Sequence, residues 1–266
     1  MTTPAWLRDI ESRRGSLPVL LVEGEDDRLW FEHFLDQHSS GWRSRFAIFP
    51  AEGKQRVLSG INTYHPADWV GIVDLDEGFP EDLQNRIANC PRIRALPRFC
   101  LESLFIVPEE IWQVVPDSQK EQVEMAAWES AILTEVPAWV VHGAMWRVLR
   151  RIYQNNRLPE GLDREPVTDR ARIVQILETW HESLSPNQVM AEYDRELASA
   201  QLLPVEEQLR TYIHGKKFLR QVVIQKMDQH FHGRGLDYWM EGFRRSKIQP
   251  PADLTALLDW VLGLFP

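Results

Sequence analysis

Four short apolar runs in the first hundred residues, each set off by a stretch with helical spacing or a turn, constrain this chain more than any other feature. "LPVLLVEG" carries a strand-length run from Leu17 to Val22, and "EDDRLWFEHFLDQH" follows with Leu29, Trp30, Phe34 and Leu35 on one helix face. "RFAIFPA" (Arg45 to Ala51) is the second run, and "GKQRVLSGINTY" follows with Val57, Leu58 and Ile61 facing inward. "WVGIVDLD" (Trp69 to Asp76) and "IRALPRF" (Ile93 to Phe99) are the third and fourth, and an amphipathic helix from Thr3 to Arg14 precedes them all. Strands that alternate with helices pair in parallel and need cover on both faces. Nearly continuous apolar runs are what strands buried on both faces require. The expected fold class is therefore α/β, a parallel sheet of about four strands flanked by helices, with a mostly helical second half.

After Glu102 the pattern changes to helices, with breaks expected at Pro116, Pro137, Pro159 and Pro186. "AWVVHGAMWRVLRRIYQNN" is the clearest of them, with cations towards the end where the helix dipole favours them. "GKKFLRQVVIQKMDQHF" and "DLTALLDWVLGLF" read as later helices. The expected division is residues 1–107 as an α/β domain and 108–266 as a helical domain, with the stretch 210–225 free to pack back on the first.

Acids cluster where the first and third runs end. Glu23 closes the first, and Asp74 and Asp76 close the third. Parallel strands joined by right-handed crossovers finish at one edge, and ligands bind beyond it. Residues two apart on a strand point to one side, so Asp74 and Asp76 are expected to face one point, joined by Glu23 if the first and third strands are neighbours. Carboxylates packed together raise one another's pKa, and a divalent cation removes the conflict. Oxygen-only ligands favour Mg²⁺ or Mn²⁺ over zinc. Glu25, Asp26 and Asp27 also suit a helix start without any function. Lys54, after Gly53 at a helix start, could meet an anion, but a solvated lysine is the plainer reading. His230 and His232 lack a third ligand, and surface or packing roles suit them better.

The formal charge is −9, so any contact with nucleic acid must be local, through a patch or a metal. "RVLRRIYQNNR" and "FRRSK" are basic stretches that suit either a partner or solvent. Cys90 and Cys100 match no zinc spacing and no disulfide framework, which makes a reduced, cytoplasmic setting the expectation. No stretch approaches the roughly 20 apolar residues of a membrane span.

"VEGEDD" followed by "GIVDLDEG" resembles the Toprim domain, whose signature is a Glu-Gly pair after the first strand and Asp-x-Asp after the third. "PAEGKQRVLSGI", "LPRFCLESLFIV" and "HGKKFLRQVV" are similar to further segments of the standalone OLD-related Toprim proteins. Those proteins partner ABC-type ATPases in bacterial anti-phage systems of the PARIS kind. The resemblance implies a Toprim-like sheet and a metal-dependent nuclease cleaving phosphodiester bonds in DNA or RNA, transfer RNA included. It further implies an anti-phage defence role under an ATPase partner, with a homodimer left open.

By that resemblance Glu23 is a metal ligand or general acid/base, Asp27 the second acid, and Asp74 and Asp76 the metal-binding pair. Glu102 completes a second metal site, and Lys216 or Lys217 steadies the phosphate. Two ions would sit about 4 Å apart. Two other readings stand beside this one. The helical half could make the chain a non-catalytic interaction module. "VDLDEG" is also similar to the Asp-x-Asp-Gly of haloacid dehalogenase-like phosphatases, in which Asp74 would be the nucleophile. Against that, Glu77 interrupts the usual order and no Thr follows.

Overall fold

The computed structural model describes residues 3–64, 66–76, 80–155, 170–233, 235–246 and 249–265. The fold is α/β. Its sheet has four strands, all parallel: β1 (Val19–Val22), β2 (Ala47–Pro50), β3 (Trp69–Val73) and β4 (Ile93–Ala95), in the order β2-β1-β3-β4. Val19 pairs with both Ala47 and Trp69, and Gly71 pairs with Ile93. The four runs expected as strands are thus strands, each trimmed at its ends.

Strand alternation sorts the core into two layers. Leu20, Val22, Ile48, Val70 and Ile72 face helix α2 (Glu25–His38), which contributes Trp30, Phe31, Phe34 and Leu35. Val19, Leu21, Phe49, Trp69 and Val73 face the other way. There they meet α1 (Ala5–Arg13), α3 (Lys54–Asn62) and α4 (Pro80–Ile87), the last a helix that the sequence reading did not anticipate. Gly71 allows α3 to lie close: a Cβ there would stand 2.6 Å from Val57 Cγ1.

The connection β1-α2-β2 steps to one side of β1, and β2-α3-β3 crosses back to the other. Right-handed crossovers in opposite directions put their helices on opposite faces. They also leave a crevice at the strand ends between β1 and β3, where the order reverses.

The rest of the described chain is mostly helical. A 3₁₀ turn (Leu101–Phe105) leads to α5 (Pro108–Trp112), α6 (Asp117–Lys120), α7 (Met125–Leu133), α8 (Val136–Asn155) and α9 (Arg170–Ser183). Then come α10 (Pro186–Gln201), α11 (Val205–Thr211), α12 (Gly215–Phe218), α13 (Ile224–Phe231), α14 (Leu236–Arg245) and α15 (Ala252–Leu264). A π turn at Leu219–Val223 joins α12 to α13 without a break. Pro186 starts α10 and Pro137 lies in the first turn of α8, where a missing N–H costs nothing, so both begin helices rather than interrupt them. Pro116 caps α6, and Pro159 lies outside the described residues.

The change of character near residue 107 is not a gap in packing. One apolar cluster runs from Leu20 and Trp30 on the sheet side through Phe105 and Trp128 to Phe218, Phe243 and Leu258. Among the described residues no helix is long and apolar enough to cross a membrane.

Candidate functional site

Glu23 directly follows β1 and Asp74 directly follows β3, so both sit at the crevice between those strands. Glu23 Oε1 accepts the backbone N–H of Asp74 at 2.8 Å. Asp27 lies in the first turn of α2, where its Oδ2 accepts the Gly24 N–H at 2.7 Å and satisfies a donor at the helix start.

Asp76 departs from the strand-based expectation. β3 stops at Val73, and Asp76 is left-handed at φ 56° with its N–H bonded to Phe99 O at 2.8 Å. Two-residue alternation therefore does not reach it. Its Oδ2 turns to Lys54 Nζ at 2.5 Å, and the same ammonium reaches Leu75 O at 3.4 Å. The solvated reading of Lys54 is corrected: its side chain is 18% exposed and lies inside the site. The signal was present as Gly53-Lys54 at a helix start, but the Asp76 partner could be seen only in three dimensions.

Glu102 comes from the 3₁₀ turn and meets Lys216 Nζ at 3.1 Å. Gly215 makes that meeting feasible. A Cβ on it would stand 2.5 Å from Ser103 Oγ and 2.6 Å from Ser103 N, so only glycine lets α12 rest on the turn. Lys217 points elsewhere, with Nζ 4.9 Å from the Trp146 ring on α8. Of the two lysines left open by the sequence, Lys216 faces the carboxylates.

The acids act on one another. Burial raises the Asp74 carboxyl well above its usual range, and Asp27, Glu23, Asp76 and Glu102 each add to the rise. Burial pushes Glu23 up to about 7, with Lys54 and the Asp74 N–H opposing and Asp76 and Asp27 adding. Burial likewise lifts Asp27 to about 6, against the Gly24 N–H. Lys216 is raised, chiefly by Glu102.

Among the described residues no group of three His, Cys, Asp or Glu side chains stands in ligand geometry. The reason is visible: Asp27 and Glu23 hold backbone donors, while Asp76 and Glu102 hold lysines. The donors are crowded carboxylates, and the thiol beside them, Cys100, is held protonated by burial and by Glu102 and Asp74, so the oxygen set fits a hard cation such as Mg²⁺ or Mn²⁺. Such an ion would take over the work that Lys54 and Lys216 do here.

The raised Glu23 pKa carries a stability signature. The unfolded chain releases that proton near 4.5 and the folded chain near 7, so the stabilisation is full at acid pH and lost as pH rises through 7. Glu23→Gln mimics the protonated acid and keeps its acceptor oxygen. In chelator, the advantage of Glu23→Gln over wild type is expected to grow from pH 5 to pH 8 by up to about 3 kcal/mol, read by urea unfolding. A pH-independent difference would refute the burial argument.

The two histidines stay outside the site. His230 packs edge-on to Trp128 at 6.2 Å, and His232 ends α13 in a left-handed conformation. The two basic stretches run partly into residues 156–157 and 247, and Glu77 also lies outside the described residues. No family model matches this chain, and no curated protein matches it by sequence.

Proposed function

We propose that this protein is a metal-dependent nuclease of the Toprim kind, hydrolysing phosphodiester bonds in DNA or RNA with Mg²⁺ or Mn²⁺ and controlled by an ABC-type ATPase partner in anti-phage defence. One observation carries the reading: Glu23 and Asp74 meet at the strand-end crevice, and Asp27, Asp76 and Glu102 join Glu23 in opposing the ionisation of Asp74. Stability alone gives no reason to gather acids this way, since each raises the cost of ionising the others. A bound divalent ion would offset that cost, polarise a phosphate and activate a water.

This chain's residues then divide the work. Asp74 and Asp76 would hold the ion, with Asp27 and Glu102 as further candidate ligands. Glu23, held at the crevice by the Asp74 N–H, is the group placed for proton exchange with water or leaving group. Lys216 and Lys54, which now pair with Glu102 and Asp76, would supply positive charge for the crowded phosphate.

A protein-docking role has support of its own. Trp146, Leu149 and Tyr153 form an exposed stripe at helical spacing on α8, 37%, 46% and 61% exposed. That stripe is compatible with a nuclease that docks an ATPase. The phosphatase reading is weaker, because Glu77 interrupts the usual motif, no Thr follows it, and Asp74 follows the third strand rather than the first.

The test is direct. Purified protein is incubated with plasmid, single-stranded DNA and transfer RNA in Mg²⁺, Mn²⁺ or chelator, and Mn²⁺ binding is followed by calorimetry. Metal-dependent cleavage of at least one substrate is expected. Absence of both cleavage and metal binding would end the proposal.

A further inference from the structure

Next to the carboxylate centre a cleft of about 450 Å³ opens between α2, the π turn and α14. Its inner end is Glu102 and Lys216, so it is continuous with the site. Arg220, on the π turn, and Arg244, on α14, line its walls. Among the described residues neither has a carboxylate within ion-pair distance, although the adjacent Arg245 pairs with Glu241 at 2.9 Å. Arg244 instead lies 5.7 Å over the ring of Trp30. Leu236 and Met240, both part-exposed, supply apolar surface in the same lining. A π turn is a local departure from α geometry that recurs at functional sites, and this one carries both Leu219 and Arg220.

We propose, on the premise of the nuclease reading, that this cleft seats one unpaired nucleotide of the substrate strand beside the scissile phosphate. Arg220 and Arg244 grip its flanking phosphates, and Leu236 and Met240 lie against its base. The charge argument is local: a chain of net charge −9 draws in a polyanion only where cations lack internal partners. Asp26, Asp237 and Glu241 also border the cleft, which confines anion binding to the arginine walls. The apolar surface argues for an unpaired base, because a base inside a duplex offers its edges but not its face. The cleft volume lies in the range of roughly 300–1,000 Å³ that encloses a small ligand, which suits one nucleotide.

The test is fluorescence anisotropy in chelator, which prevents cleavage, with labelled single-stranded DNA, single-stranded RNA and duplex DNA of equal length. The variants are Arg220→Ala/Arg244→Ala, the control Arg245→Ala outside the cleft, and Asp74→Asn. The double variant is expected to weaken single-strand binding by at least about tenfold. It should also flatten the salt dependence by about 1.4, two lost contacts at about 0.7 each. Duplex binding and the Arg245→Ala control stay at wild-type level. A preference for RNA or for DNA supports the proposal and identifies the sugar. Unchanged single-strand binding by the double variant overturns it, as does equal loss on duplex or wild-type protein that binds no strand. The nuclease reading is judged separately by cleavage with Asp74→Asn: undiminished cutting removes that reading, while arginine-dependent strand binding would still stand.

Discussion

Asp74→Asn is expected to abolish Mg²⁺-dependent cleavage and, in chelator, to raise the melting temperature. The two effects share one cause. Asp74 sits where burial and four other acids oppose its charge. Without metal that charge is a strain on the fold, and an amide of the same shape relieves it. With metal the charge is what holds the ion. Removing a group that stabilises transition-state charge costs about 10²–10³ in rate, and loss of a central ligand is expected to reach at least that. Each kcal/mol of strain relieved raises the melting temperature by about 2–4 °C in a chain near this size. Calorimetric scans with and without Mn²⁺, beside a cleavage time course, read both effects. An Asn variant that cuts as wild type does, or that melts lower in chelator, contradicts the account.

Arg98→Met is expected to be strongly destabilising. Arg98 is wholly buried and uses its guanidinium as a fork in both directions. Nε and Nη2 reach Asp253 at 2.7 and 2.9 Å, and Nη1 and Nη2 reach Glu110 at 2.6 and 2.7 Å. Nη1 also donates to Ser103 O at 3.1 Å. Methionine keeps much of the volume but leaves two carboxylates without their principal partner, Glu110 retaining only Arg210 at 3.1 Å. Breaking a buried pair from one side costs about 3–5 kcal/mol. Arg98→Lys is expected to recover only part of this, because an ammonium cannot serve two carboxylates in bidentate fashion. Denaturant midpoints of the three proteins decide it, and a loss under about 1 kcal/mol for methionine would show the cluster to be dispensable.

The parts legible in the sequence were those set by local periodicity. The apolar runs became the four strands, and Glu23 and Asp74 took their places because neighbours in the sheet follow from strand ends. Asp76 escaped because a left-handed residue breaks the alternation that the argument used. Lys54 and Arg98 escaped for a different reason. Each is defined by a partner far along the chain, Asp76 for one and Asp253, 155 residues away, for the other. No short-range pattern announces such a pairing. Lys216 and Lys217 are equivalent as letters, and only the resting of Gly215 on Ser103 turns one towards the acids and the other towards Trp146.

The Arg98 cluster also imposes an order in time. The turn bearing Glu102 is braced from Asp253 at the head of α15, so a nascent chain emerging from the ribosome presents Glu23, Asp74 and Glu102 long before the brace exists. Contacts spanning so many residues close late. The brace is therefore complete only when synthesis has passed the head of α15, and a product that stops short of Asp253 carries the acids with Arg98 held by Glu110 and Ser103 O alone.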